Sequence, residues 1–272
     1  MAERARFRPF TGDSERKVAI HNPPLELVLV QIRWPEHGRF MRDFRTLALD
    51  FGDQLNDFPL FNEVTETGVQ ITPDGVTSIP GETAYQWRST DDVWGIHLTK
   101  RFISLFCVRH EAYEFGELQK HLEAVTELLN SQLQVRTIER VGIRYVNRIA
   151  DEQLISRLGD VFIPAVLGYN QLDGFAGGVE LHSSFNQAVY QAEEVTLHVR
   201  SGLLAPGETP DPAIPQVAGK TWVLDLDAFV EQRLPYDHSA TGEYVSRLAD
   251  VVYDFFKLVL QEGTEDQLDG AS

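Results

Sequence analysis

Residues 136–149 read RTIERVGIRYVNRI and set Arg136, Arg140, Arg144 and Arg148 at intervals of four in an otherwise acidic chain. Apolar and polar positions alternate along the stretch, which predicts a β-strand. Strand side chains point to opposite faces in turn. The odd positions, Val135, Thr137, Glu139, Val141, Ile143, Tyr145, Asn147 and Ile149, are mostly apolar and are expected to meet a helical layer. The even positions, Arg136, Ile138, Arg140, Gly142, Arg144, Val146 and Arg148, are expected on the other side, so all four guanidinium groups share one face.

Neighbouring strands repeat the division. In WGIHL (94–98) Trp94, Ile96 and Leu98 form the core set, which sends His97 to the polar side. In VTLHV (195–199) the core set of Val195, Leu197 and Val199 sends out His198, with Arg200 following. GVELHSSF (178–185) turns Val179, Leu181 and Phe185 inward and Glu180 and His182 outward, and TWVLDLD (221–227) leaves Asp225 and Asp227 outward. Such a face supports cross-strand ion pairs, Arg140 or Arg144 against Asp225, Asp227 or Glu180. It also supports an anion site, because clustered arginines present planar forks to phosphate or carboxylate. The candidate ligand-binding residues are Arg140, Arg144 and Arg148 as anion forks, His97 and His198 as donors, and Asp225 as the group orienting an arginine. A metal held by His182, His198, Glu180 and Asp225 is disfavoured by the adjacent arginines. No metal or other cofactor is expected.

The pattern around the central strand occurs twice. ELVLVQIRW (26–34) predicts a strand, and Pro35 is suited to open a helix carrying Phe40, Phe44, Leu47, Phe51, Leu55 and Phe58 on one stripe. Strands near 60–72, 83–89, 92–100 and 102–109 precede a helix over about 114–133. After the central strand, Asp151 is suited to cap a helix holding Leu154, Leu158 and Val161. Strands near 176–186, 188–201 and 220–227 then lead to a last helix over about 240–260. The expected fold is α+β: two duplicated β-α-β-β-β-α halves, 21–135 and 136–262, joined in a continuous, mostly antiparallel sheet. Helices would cover one face and leave the other open, polar and saddle-shaped. Residues 1–20 read as a flexible arm, 205–218 as a Pro-rich insert and 263–272 as an acidic, frayed tail.

The net charge of −17 over 272 residues repels phosphate backbones and argues against nucleic-acid binding. With one cysteine, Cys107, an intrachain disulfide and a cysteine-based zinc site are excluded. The first twenty residues lack a signal-peptide profile and no segment is apolar enough to span a bilayer, so a cytoplasmic location is expected. Gly-rich phosphate loops, the G-x-S-x-G elbow, the kinase set and H-E-x-x-H are all missing from the sequence.

NPPLELVLVQIRW (22–34), ERVGIRYVNRI (139–149) and WVLDLD (222–227) together resemble a sporadically distributed TIGR-series family of bacterial proteins of similar length without an assigned activity. The resemblance covers about 20–262. Its patchy distribution implies a defence or toxin–antitoxin setting and transfers no catalytic residues. The expected function is therefore non-catalytic binding of a protein partner or small anion through the polar face. The alternatives are a hydrolytic or nucleotide-processing enzyme with His182 or His198 as base, and an oligomeric module such as a homodimer.

Overall fold

A computed structural model describes residues 6–72, 75–108, 113–172, 177–212 and 214–271, with side chains described outside 65–82. Nine strands form one antiparallel sheet: β1 (Leu25–Arg33), β2 (Leu60–Thr72), β3 (Gly75–Arg88), β4 (Trp94–Leu98), β5 (Phe102–Cys107), β6 (Thr137–Ile149), β7 (Asn186–Ala192), β8 (Val195–Leu204) and β9 (Thr221–Pro235). Their order is β2-β3-β4-β5-β1-β6-β9-β8-β7. The described residues include five α-helices: α1 (Gly38–Gly52), α2 (Phe115–Ser131), α3 (Glu152–Ile155), α4 (Pro164–Leu167) and α5 (His238–Val259). None of the helices is long and apolar enough to cross a membrane. The fold is thus mixed α+β, built on a nine-stranded antiparallel sheet.

β1 and β6 lie side by side at the centre, with Val30 opposite Ile143 and Leu29 opposite Arg144. Val28, Val30 and Ile32 of β1, Val141 and Ile143 of β6, and Leu224, Leu226 and Ala228 of β9 share one core cluster. The apolar stripes of α1 (Phe40, Phe44, Leu47, Phe51), α2 (Leu118, Leu122, Val125, Leu129) and α5 (Val245, Leu248, Val251, Phe255) belong to the same cluster. Burying one helical stripe against the apolar strand parity supplies the main driving force for this arrangement.

Two irregularities alter the simple alternation. A register shift between Ile138 and Arg140 lets Ile138, an even position expected on the polar side, join the main core at 2% exposure. A second shift between Leu25 and Leu27 puts these two odd residues in different clusters. Extra residues of this kind bend a strand and reverse its parity beyond the bulge. Arg136 lies outside the strand and is exposed, so it does not extend the arginine row.

Several expected elements differ. α1 starts at Gly38, not Pro35, and His37 Nδ1 accepts from the Arg39 amide at its start. Asp151 does cap, accepting from Leu154 N at 2.7 Å, but its helix is a single turn followed by 3-10 turns and α4. Residues 177–185 form no strand, and Val179 and Phe185, expected inward, are 59% and 53% exposed. Ala176 of that expected strand lies outside the described residues. The expected strand 188–201 is a hairpin: Glu193 adopts φ 55° and separates β7 from β8.

Both ends of the described chain lie against the body. Phe10 and Thr11 amides donate to Asp254 of α5, and Arg16 donates to the Lys257 and Leu260 carbonyls at 2.8 and 3.1 Å. Those carbonyls at the helix end would otherwise lack partners. In the stretch expected as a frayed tail, Leu268 and Ala271 are buried, and the Gly270 amide donates to Asn22 O. Residues 1–5 of the expected arm lie outside the described residues.

His121 of α2 packs between Phe58 and Trp94, with ring centroids at 5.1 and 5.0 Å. Burial lowers its pKa below the ordinary 6.5, and Asp57, 3.8 Å away, opposes that shift only in part. The unfolded chain therefore binds a proton that the folded ring refuses. Stability should be full above the ordinary value and decline as the pH falls through it toward the lowered folded value. Urea midpoints between about pH 8 and pH 5 should show a shallower acid slope for His121→Phe than for the parent chain.

Candidate functional site

The polar face gathers most of the residues chosen from the sequence. β6 carries Arg140, Arg144 and Arg148, β9 carries Asp225 and β8 carries His198 on adjoining strands. His97 sits on β4, separated from β6 by β5 and β1. Three strand spacings put it about 14 Å away, so it does not meet the arginines.

Each of those arginines is engaged. Arg144 binds Asp225 through Nε and Nη2 at 2.8 and 2.9 Å and Asp211 through Nη1 at 2.5 Å. Arg200 reaches the same Asp225 at 2.9 Å. Arg140 binds Asp227 at 3.1 Å and lies 4.3 Å over the Phe229 ring, on which His198 also abuts edge-on. Gly142 makes room for this pose, since a Cβ there would come within 2.9 Å of Arg140 Nη1. Arg148 takes Glu26 at 2.7 Å and donates to the Pro215 carbonyl. Four guanidinium groups thus meet Glu26, Asp211, Asp225 and Asp227, and the local charges cancel. The Asp225 and Asp211 carboxylates outweigh burial and raise the Arg144 pKa further, so its charge is permanent.

The Pro-rich insert covers part of this face, which was expected to be open. Ile214, 2% exposed, fills an apolar socket with Leu27, Phe106 and Val146, while Asp211 and Pro215 hold the two arginines beside it. Neither Asp211 nor Ile214 was among the sequence candidates.

A cleft of roughly 640 Å³ lies elsewhere, where β6, α2, α5 and the N-terminal stretch converge. Tyr145, Asn147 and Leu226 come from the sheet, Phe115 and Gln119 from α2, and Ala249, Tyr253 and Phe256 from α5. Arg6, Arg8 and Ile20 complete it from the chain start. The shift at Leu25–Leu27 turns Leu25 into this cleft. Tyr113 and Tyr145 share a hydroxyl–hydroxyl hydrogen bond of 2.7 Å. Burial raises both phenol pKa values, with the neighbouring Tyr145 adding to the shift of Tyr113, so both remain protonated. One proton bridges the pair and the other remains available as a donor.

Gln119 Nε2 donates to Ser246 Oγ at 3.2 Å and ties α2 to α5. Asn147 Nδ2 makes a long contact to Leu224 O at 3.4 Å. Arg8 is anchored on Asp250 through the carbonyl at 2.8 Å and the carboxylate at 3.2 Å. Among the described residues Arg6, which is exposed, forms no ion pair. The sequence did hold a signal for this site: Tyr145 and Asn147 are polar members of a core-facing strand parity. Comparison of the chain with models of protein families, with curated proteins and with solved structures finds no match.

Proposed function

We propose that this protein is a non-catalytic binding protein whose small ligand occupies the cleft between β6, α2, α5 and the N-terminal stretch. One observation carries the reading: a half-open cleft of roughly 640 Å³ is lined mainly by apolar surface together with the Tyr113–Tyr145 hydroxyl pair and Asn147. That volume falls within the roughly 300–1,000 Å³ of ligand pockets, and a few convergent polar groups in an apolar wall fix a ligand's orientation. The arginine face supports ligand capture less well, because its donors already hold carboxylates.

We also infer that the sheet comprises two duplicated halves with helices layered on one face. Supporting this, the strand order runs outward from β1 as β5-β4-β3-β2 and from β6 as β9-β8-β7. The first half carries one more strand than the second, so the repeat is unequal. The defence or toxin–antitoxin setting rests on the sequence resemblance alone.

Ala249→Phe tests the site by filling it from α5. Native mass spectrometry of protein purified from its own cells should show a small-molecule adduct, and the variant should lose it while melting within a few degrees of the ligand-free parent. A bound ligand at about one hundred times its Kd adds about 2.7 kcal/mol to stability, so its loss is measurable. An adduct retained in full by the folded variant would place binding elsewhere.

A further inference from the structure

The chemistry of the cleft lining narrows the ligand class, an inference that rests on reading the cleft as the binding site. Its wall is aromatic: Tyr113, Phe115, Tyr145, Tyr253 and Phe256 all line it. Such rings favour a flat conjugated body, which meets them face or edge-on and loses little conformational freedom. Its polar groups then add a pattern. Among the described residues no group donates to Asn147 Oδ1 or Gln119 Oε1, whose amide nitrogens are turned to Leu224 O and Ser246 Oγ. Asn147 is only 8% exposed, so its oxygen depends on the ligand or on water for a donor. The same cleft is lined by the tyrosine pair, whose remaining O–H is a donor. A ligand that satisfies both presents N–H or O–H donors together with acceptor atoms, as an amino-substituted nitrogen heterocycle does, and a fatty acyl chain has no donor along its length.

The charge completes the description. Arg8 is neutralised by Asp250, whereas Arg6 lines the same cleft without an ion pair among the described residues. In a chain of net charge −17, two arginines against one carboxylate among the described lining residues is a departure from the surrounding field. We infer that the ligand is an amino-substituted nitrogen heterocycle bearing an anionic group, the chemistry of a mononucleotide. Its ring lies among the tyrosines and phenylalanines, its N–H groups reach Asn147 and Gln119, and its phosphate faces Arg6.

The test titrates the full chain with AMP, GMP, adenosine, guanosine, inorganic phosphate and dodecanoate, reading intrinsic fluorescence and melting temperature. At least one of AMP and GMP should bind, and about tenfold or more tighter than its nucleoside, as expected of a charge-assisted contact. Phosphate and dodecanoate should produce no shift. Arg6→Ala should bring nucleotide affinity down by about tenfold or more, to the level of the nucleoside, and Asn147→Ala should weaken both. Arg6 is exposed, so its removal does not threaten the fold. Binding of dodecanoate with both nucleotides inert would overturn the ligand class and leave the cleft as a binding site. Inert nucleotides beside a native adduct that Ala249→Phe removes would do the same. Inert probes with no adduct at all would remove both proposals. Nucleotide binding undiminished in Ala249→Phe would overturn the inference by showing that the nucleotide sits elsewhere.

Discussion

Asp225→Ala is expected to lower the unfolding free energy by about 3–5 kcal/mol, measured as a shift of the urea transition. Asp225 is 2% exposed and holds Arg144 by two hydrogen bonds and Arg200 by a third contact. Its removal leaves two guanidinium groups in one shielded site with only Asp211 to balance them. The cost comes from stranding buried charge, more than from the attraction lost. Replacing the whole group supplies the control. Arg144→Met and Arg200→Met added to Asp225→Leu should recover most of the loss, because an apolar substitute removes both the attraction and the desolvation it offset. A loss under about 1 kcal/mol for Asp225→Ala would mean that the pair behaves as a solvated surface bridge. The face would then be wet enough to exchange its carboxylates for an outside anion, and the arginines would regain their claim as a ligand site.

Period-two alternation in 136–149 separates Val141, Ile143 and Ile149 from Arg140, Arg144 and Arg148, and the structure keeps that division. It holds because the pleat is local geometry. The stripe from Phe40 to Phe51 is legible for the same reason and is buried on α1, whereas Leu55 and Phe58, expected on the same helix, are buried in the turns beyond its end at Gly52. Bulges are less visible: nothing in the letters around Ile138 marks the register shift that turns it into the core. Partners far along the chain are less visible still. Asp211 reaches Arg144 across 67 residues, and Ile214 finds its socket only because β1, β5 and β6 have already assembled. The insert's Pro and Gly content marked it as a loop, but composition carries no information about what a loop covers.

The cleft lay within the same opening stretch, on its other side. Tyr145 and Asn147 occupy the parity assigned to the core, where a hydroxyl and a carboxamide need partners. Two polar residues in succession on a mostly apolar strand face are a stronger hint of a lined cavity than four arginines on a polar one. What could not be read was the rest of the enclosure. Arg8 arrives from the chain start and Asp250 from α5, 242 residues later, and only the tertiary fold joins them.

That long-range closure makes Asp254 the second position of large effect. Asp254→Ala should cost about 3–5 kcal/mol and free the N-terminal stretch. Asp254 is fully buried on α5, accepts from the Phe10 and Thr11 amides and the Thr11 hydroxyl, and lies 3.6 Å from Lys257, itself 1% exposed. Alanine would orphan the two amides and leave the Lys257 ammonium against the Asp13 carbonyl and the Tyr253 ring. Hydrogen exchange should then accelerate at Phe10 and Thr11, because those amides lose their acceptor. The effect should reach the cleft, since Arg6, Arg8 and Ile20 form the wall carried by this stretch. Ligand-induced stabilisation should fall with exchange protection, and Asp254→Asn, which keeps an accepting oxygen, should lie between alanine and the parent chain on both readouts. If the Phe10 and Thr11 amides stay protected in Asp254→Ala, the stretch is held by Arg16 on the helix-end carbonyls and by the Phe10 ring against Phe255. In that case closure of the cleft is a property of packing and does not depend on the buried charge.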